Sequence, residues 1–432
     1  MDLAALVIII LAFLVVVVLP FVLSSHWRLM AAVWLAVFQV YTFPVHGFYP
    51  SLAFLFSISL WPELIKHGKE LLRWRITQYY FLLLAVQVIS LAWSPDIGMG
   101  MRLIALMIPF AFILAASIEV TMHREDLIRL LAYGILAGAV IESILAIGFH
   151  LMPAWGKLFL SSSISQIFIN PNTLLFEHIR IKQFSAFLVN PNTAAAYMGI
   201  TSLFAQALAF RYRQWWLALT GVFIALGVVF TGSKAGLILL VVLYPTGCFM
   251  LAWPKYKKLL KASLMLIIVI TAVVVFLSLD ALQHVFGNSW TNRVMLWNYG
   301  LTSFQEKPLQ GLGFGGWEIG IQEYVKQVGY SRVSPPPHNT IISLWSQSGL
   351  VAAVLGILFM VEVVIFFWRS RIMPKWREFM ICATLAMVWY FIHQQANNWG
   401  LVNERHIMPI IALLIGIVYT VSHRTPQAHE GA

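Results

Sequence analysis

The sequence predicts an all-α polytopic membrane protein, and three observations carry that prediction. Hydrophobic residues make up 60% of the chain and charged residues only 10%, with a mean hydropathy of +0.82. Soluble domains carry about a quarter charged residues, and no soluble core could hide this much apolar surface. Apolar stretches of membrane-spanning length recur along the chain. Between them the basic residues sit in short clusters, the pattern that orientation in a bilayer produces. The same scatter argues against nucleic acid as the partner behind a net charge of +11. Cys248 and Cys382 both lie inside apolar runs, which argues against a disulfide framework. The chain reads as one integral membrane domain, 1–432.

Taken in order, the first apolar runs lie near Ala4–Ser24, Leu29–Gly47, Pro50–Ile65, Gln78–Ser94, Met101–Glu119 and Leu127–Met152. After a polar stretch they resume near Thr193–Phe210, Trp215–Phe230, Ala235–Trp253, Ala262–Leu282, Thr340–Trp368, Glu378–Ala396 and His406–Ser422. A helix needs about 20 residues to cross the hydrocarbon core, so the count is about 12 transmembrane helices, 12 or 13. The doubtful part is the N-terminal third, where Pro20, Pro44 and Pro50 interrupt the pattern. Ala4–Ser24 is long enough to span and has no basic stretch before it, so it is expected to be a span and not a cleaved leader. Tryptophans at span ends, such as Trp27, Trp74, Trp215 and Trp368, read as interfacial anchors.

Four basic clusters set the orientation: Lys66 to Arg75, Arg211 with Arg213, Lys255 to Lys261, and Arg369 to Arg377. Walking the spans between them puts all four on one side, expected to be the cytoplasm. Three polar stretches then fall on the outer face: 153–192, the Thr231–Lys234 turn, and the large loop 283–339. A loop that long is uncommon in a compact membrane protein unless it has a function.

The outer face also holds basic residues, against the orientation rule. Arg180 and Lys182 precede Asn190-Pro191-Asn192, Lys234 sits in Gly232-Ser233-Lys234-Ala235-Gly236, and Arg293 opens the large loop. Headgroup contact or snorkelling is the plain reading for such residues. Those beside a glycine or asparagine turn also suit phosphate, which arginine forks and turn N–H groups bind well. His338 follows Pro335-Pro336-Pro337 and opens the next span. It is a capping or interfacial histidine, or a base for an attacking hydroxyl. No Cys, Asp or second His stands near it at metal-ligand spacing, so a metal site is not expected. Gly311-x-Gly313-x-Gly315 follows no expected strand and implies no dinucleotide fold, although its backbone suits an anion. Glu142 and Glu362 lie inside spans, where carboxylates are costly, and a transporter reading would lean on them.

Four motifs run in order from Phe184 onward: Asn190-Pro191-Asn192; Gly232-Ser233-Lys234-Ala235-Gly236; Arg293-x3-Trp297 leading to Pro308-L-x-Gly-x-Gly; and His338-Asn339 with Gly349-Leu350 downstream. In this order the chain resembles the bacterial O-antigen ligase and O-antigen polymerase superfamily of membrane glycosyltransferases. The resemblance implies a GT-C-like fold in a Gram-negative inner membrane, with 153–192 and 283–339 in the periplasm. It implies an undecaprenyl-diphosphate-linked O-antigen as donor, a lipid A–core acceptor, contact with membrane lipid, and no metal or cofactor. His338 and Arg293 would be catalytic. Arg293, Lys234 and Arg180 (or Lys182) would hold the donor diphosphate, and Asn190, Asn192, Asn339 and Trp297 would support them. One position departs from the family: arginine is usual where this chain has Lys234, which keeps the charge without the fork. Chain length and the single large outer loop favour a ligase over a polymerase. A transporter for a lipid-linked anion is the other class, and it should show basic residues deep within the spans.

Overall fold

The structure is a computed structural model that describes residues 18, 20–42, 48–169, 187–247, 249–251, 288–327, 336–397 and 401–423. Regular structure among these residues is helical, apart from isolated bridges such as Tyr41–Ser51. Six helices are long and apolar enough to cross a membrane, and Trp215–Phe230 and Met408–His423 are shorter apolar helices. The chain is thus a polytopic helical membrane protein.

The first described helices differ from the expected spans. In place of crossings over Leu29–Gly47 and Pro50–Ile65, the chain forms α1 (Ser25–Trp34), α2 (Leu52–Ile58) and α3 (Trp61–Leu71). At about 1.5 Å per residue none reaches across about 30 Å of hydrocarbon. Polar side chains turn the chain back. Gln39 is left-handed at φ 42°, and its Oε1 accepts from the Ser51 hydroxyl at 2.6 Å. Ser51 in turn caps α2 by accepting from the Phe54 N–H. Ala262–Leu282 lies outside the described residues, as does most of Ala4–Ser24.

Regular spans follow. They are α4 (Arg75–Ser90), α5 (Ile97–Met107) continuing through Pro109 into α6 (Pro109–His123), and α7 (Glu125–Leu151). Short helices α8 (Pro153–Ser161) and α9 (Ser163–Phe168) begin the next polar stretch. Then come α10 (Pro191–Tyr212), α11 (Trp215–Phe230) and α12 (Lys234–Leu251). The large polar loop is itself largely helical, with α13 (Asn288–Glu306) and α14 (Trp317–Gln327). The chain closes with α15 (Thr340–Ser370), α16 (Arg377–Gln394) and α17 (Met408–His423).

Helix α10 is the centre of the bundle, with 89% of its spanning window buried. It packs between α11 and α16 and also touches α7. Its small residues allow this closeness: a Cβ on Gly199 would lie 2.1 Å from the Trp389 ring. In lipid, helices associate through such close packing and not by escaping water. Helix α15 packs on α4 and α16, with α13 and α14 laid against it.

Helix α15 is broken at Gly349 (φ 80°, ψ −178°). In an unbroken helix the Ser346 and Gln347 carbonyls would accept from the N–H groups four residues on. Here they accept from Leu312 N–H and Gly313 N–H, both at 2.8 Å, while Leu350 N–H donates to the Pro308 carbonyl at 3.1 Å. The glycine run of the large loop therefore fills the break and gives the Ser346 and Gln347 carbonyls partners inside the protein, as hydrocarbon requires. Beyond the break, Leu350–Ser370 is about 30 Å long and spans by itself.

Three of the four basic clusters meet at one end of the bundle. The Arg211 guanidinium sits 4.2 Å over the Trp376 ring. Trp74 packs on Phe366 and Tyr419, whose hydroxyl donates to Glu70. The fourth cluster, Lys255 to Lys261, lies outside the described residues. The polar motifs gather at the other ends of the same helices.

Candidate functional site

The N-terminus of α10 is the first component. Asn190 caps it, its Oδ1 accepting from the N–H groups of Asn192 and Thr193 at 2.9 and 3.4 Å. Pro191 follows at the first helical position, where a missing N–H costs nothing. Asn192 reaches sideways: its Oδ1 accepts from the Ser233 hydroxyl at 2.8 Å. Ser233 also receives the Gly236 N–H at 3.2 Å, capping α12. The tight Thr231–Lys234 turn needs Gly232 at φ 70°. Lys234 is exposed beside it.

Arg293 is the second component. Its Nη2 donates to the Ala396 carbonyl at 3.1 Å, and the Asn192 amide donates to that same oxygen at 3.5 Å. Burial pushes the guanidinium down from its usual range, but an arginine starts so high that it stays cationic at neutral pH. Among the described residues no carboxylate pairs with it. The carbonyl ends of a helix are its negative pole, so the end of α16 holds Arg293 without cancelling its charge.

Trp297, one turn further along α13, donates from its indole N–H to the Pro337 carbonyl at 3.1 Å. That contact fixes the chain immediately before His338, which is left-handed at φ 51°. Asn339 then caps α15, its Oδ1 accepting from Ile342 N–H at 3.0 Å. Two contacts tie the first turn of α15 to α16: Thr340 Oγ1–H to the Gln394 carbonyl at 3.2 Å, and Ile341 N–H to Gln395 Oε1 at 3.4 Å.

The N-termini of α10 and α15 therefore meet the C-terminus of α16 beside Arg293, and that of α12 joins them through the Ser233–Asn192 hydrogen bond. Each N-terminus carries partial positive charge from its aligned peptide groups. Together with Arg293 and Lys234 they make a field suited to an anion, with an imidazole at its border.

Of the residues singled out from sequence, Asn190, Asn192, Arg293, Trp297, His338 and Asn339 belong to one connected network, with Lys234 adjoining through Ser233. Arg180 and Lys182 lie outside the described residues. The glycine run needs a correction. Its Leu312 and Gly313 N–H groups are committed to α15, and Gly315 N–H donates to Gln347 Oε1 at 3.0 Å. Those amides brace a helix and do not face an anion.

Sequence reasoning missed the stretch His393-Gln394-Gln395-Ala396, to which Arg293, Asn192 and the first turn of α15 attach. The available signal was a run of polar side chains ending an apolar span. His393 is fully buried, and neither ring nitrogen has a hydrogen-bond partner among the described residues. Glu142 also gains a partner, since its Oε1 accepts from the Leu188 N–H at 2.9 Å, two residues before Asn190.

The fold and site define a polytopic helical membrane protein with an anion-suited polar site at one end of its bundle. Residues 219–357 match the family described as O-antigen ligase. The match covers about a third of the chain and takes in Lys234, Arg293, Trp297 and His338. Members of the family are membrane glycosyltransferase-like enzymes. No curated protein matches the chain.

Proposed function

We propose that the chain is an O-antigen ligase, transferring O-antigen polysaccharide from undecaprenyl diphosphate to a sugar hydroxyl of lipid A–core. The observation that carries the reading is Arg293, which no carboxylate among the described residues pairs with, set where the N-termini of α10 and α15 meet the end of α16, near His338. The acceptor oxygen attacks the anomeric carbon from the face opposite the diphosphate. The carbon–oxygen bond to phosphate breaks, and its electron pair leaves on the diphosphate. Arg293 stabilises the charge that builds there, where a preorganised cation is worth most. Lys234, and Arg180 upstream, extend the anion site. His338 takes the acceptor's proton. Asn190, Asn192, Asn339 and Trp297 hold these groups in register. The new glycosidic bond has inverted configuration, and the lipid diphosphate is already an activated leaving group, so no metal is required.

With this reading go the finer fold expectations: twelve or thirteen spans in a GT-C-like arrangement. The site end, with 153–192 and 283–339, faces the periplasm of a Gram-negative inner membrane. The four basic clusters face the cytoplasm.

A transfer assay with purified protein, lipid-linked donor and rough lipopolysaccharide tests the chemistry. Wild-type protein is expected to form product without an energy source or a second compartment. His338→Ala is expected to abolish transfer while the protein inserts and folds, because the residue lies at a loop–helix junction. Transfer at the wild-type rate in that variant would remove His338 from the mechanism. A transporter reading gains little from Glu142, since that buried carboxylate holds a backbone N–H.

A further inference from the structure

The last turn of α16 lies outside the residues that match the family, yet both halves of the site rest on it. On one side the Ala396 carbonyl receives Arg293 and Asn192. On the other, the Gln394 carbonyl receives Thr340 and the Gln395 side chain receives the Ile341 N–H. Gln395 is itself anchored, its Nε2–H donating to the Phe391 carbonyl one turn back at 3.1 Å. Its amide is therefore stretched between its own helix and the first turn of α15.

That first turn begins two residues after His338. A non-glycine residue keeps a left-handed backbone only where its surroundings over-determine it. At His338 they do so from both sides. Trp297 pins the Pro337 carbonyl before it. After it, α15 is pinned by the Asn339 cap and by Gln395. The first N–H groups of a helix have no partner within the helix. Asn339 satisfies that of Ile342, and Gln395 supplies an acceptor for that of Ile341 from a different helix. Loss of that acceptor lets the start of α15 fray, and with it the joint that aims the imidazole.

We propose that Gln395 is a positioning residue, which sets the first turn of α15 through the Ile341 N–H and thereby aims His338, while the same turn of α16 seats Arg293. The proposal rests on the reading in which His338 accepts the acceptor's proton. It places Gln395 on the proton-transfer side of the site. Its removal therefore lowers kcat and leaves donor KM unchanged, whereas loss of Arg293 acts on use of the donor.

The test compares Gln395→Met with Gln395→Glu. Methionine keeps the length of the side chain and removes the acceptor. Glutamate keeps an acceptor oxygen for the Ile341 N–H. Two quantities are measured in lipid: amide hydrogen exchange of the segment 338–344, and kcat with donor KM in the transfer assay. For Gln395→Met we expect faster exchange confined to that segment and a kcat about three- to tenfold lower, the scale of one hydrogen bond. Gln395→Glu is expected to restore both. Wild-type exchange and kcat in Gln395→Met would overturn the proposal. So would equal losses in both variants, which would mark Gln395 as packing alone. Failure of the functional reading has a separate signature: His338→Ala transfers normally, whatever the Gln395 variants do.

Discussion

Arg293 combines a full positive charge with a neutral partner. Its Nη2 rests on the Ala396 carbonyl, a contact that fixes the direction of the guanidinium and leaves its charge for a ligand. Arg293→Ala is expected to lower kcat/KM by about a hundredfold to a thousandfold, the usual cost of removing one donor to a developing oxyanion. Arg293→Lys should recover only part of this, because a point charge cannot replace the planar fork. Lys234 gives the converse experiment. It is exposed at the mouth of the α12 turn, so Lys234→Arg should be tolerated or beneficial if the position meets phosphate. A severe loss in well-folded Lys234→Arg protein would count against that role. Glu142 separates enzyme from carrier. The carboxylate is fully buried and accepts from the Leu188 N–H. Glu142→Gln keeps an acceptor oxygen and should keep activity, while Glu142→Leu strands a buried N–H at a cost of about 1–3 kcal/mol. Abolished activity in well-folded Glu142→Gln would instead point to a proton-carrying carboxylate.

At the scale of elements, the break in α15 and the glycine run of the large loop form one unit. A Cβ on Gly349 would lie 1.9 Å from the Leu309 carbonyl oxygen, and one on Gly311 2.7 Å from the Gln347 carbonyl carbon. Both residues also have positive φ. Gly349→Ala is expected to destabilise on the order of 3 kcal/mol, from backbone strain and overpacking together. The measurement is the thermal unfolding midpoint in detergent, and an unchanged midpoint would mean the brace is not needed. These glycines stood out in the sequence, but for the wrong reason. Spacing shows that a backbone must approach something closely; it does not say whether that is a phosphate or a neighbouring helix. The spans themselves were more legible. Trp215–Phe230 has the same limits in sequence and structure, and α7 and α15 agree to within about two residues. The stretch from Leu29 to Ile65 was misread because apolar content alone cannot show that Gln39 and Ser51 bond to each other and turn the chain.

Across the whole molecule, helices α10, α11, α15 and α16 each run from a basic end to a polar-site end. This is why two features far apart in sequence, charged loops and asparagine-rich caps, sort to opposite ends of one bundle. The ordered motifs led to most of the residues the structure brings together, since three of the four mark helix starts at Asn190, Ser233 and Asn339. The end of α16 stayed hidden because it contributes mainly backbone carbonyls, which no residue type advertises. Whether the assembly ends the glycan pathway is decided in a deletion strain, with the lipopolysaccharide core and the carrier lipid both analysed. Ligation follows polymerisation on the carrier. The account predicts bare core together with long glycan accumulating on undecaprenyl diphosphate. Core capped by a single repeat unit would contradict it and make the chain a polymerase. Bare core with only short, cytoplasm-facing lipid-linked units would contradict it and make the chain a flippase.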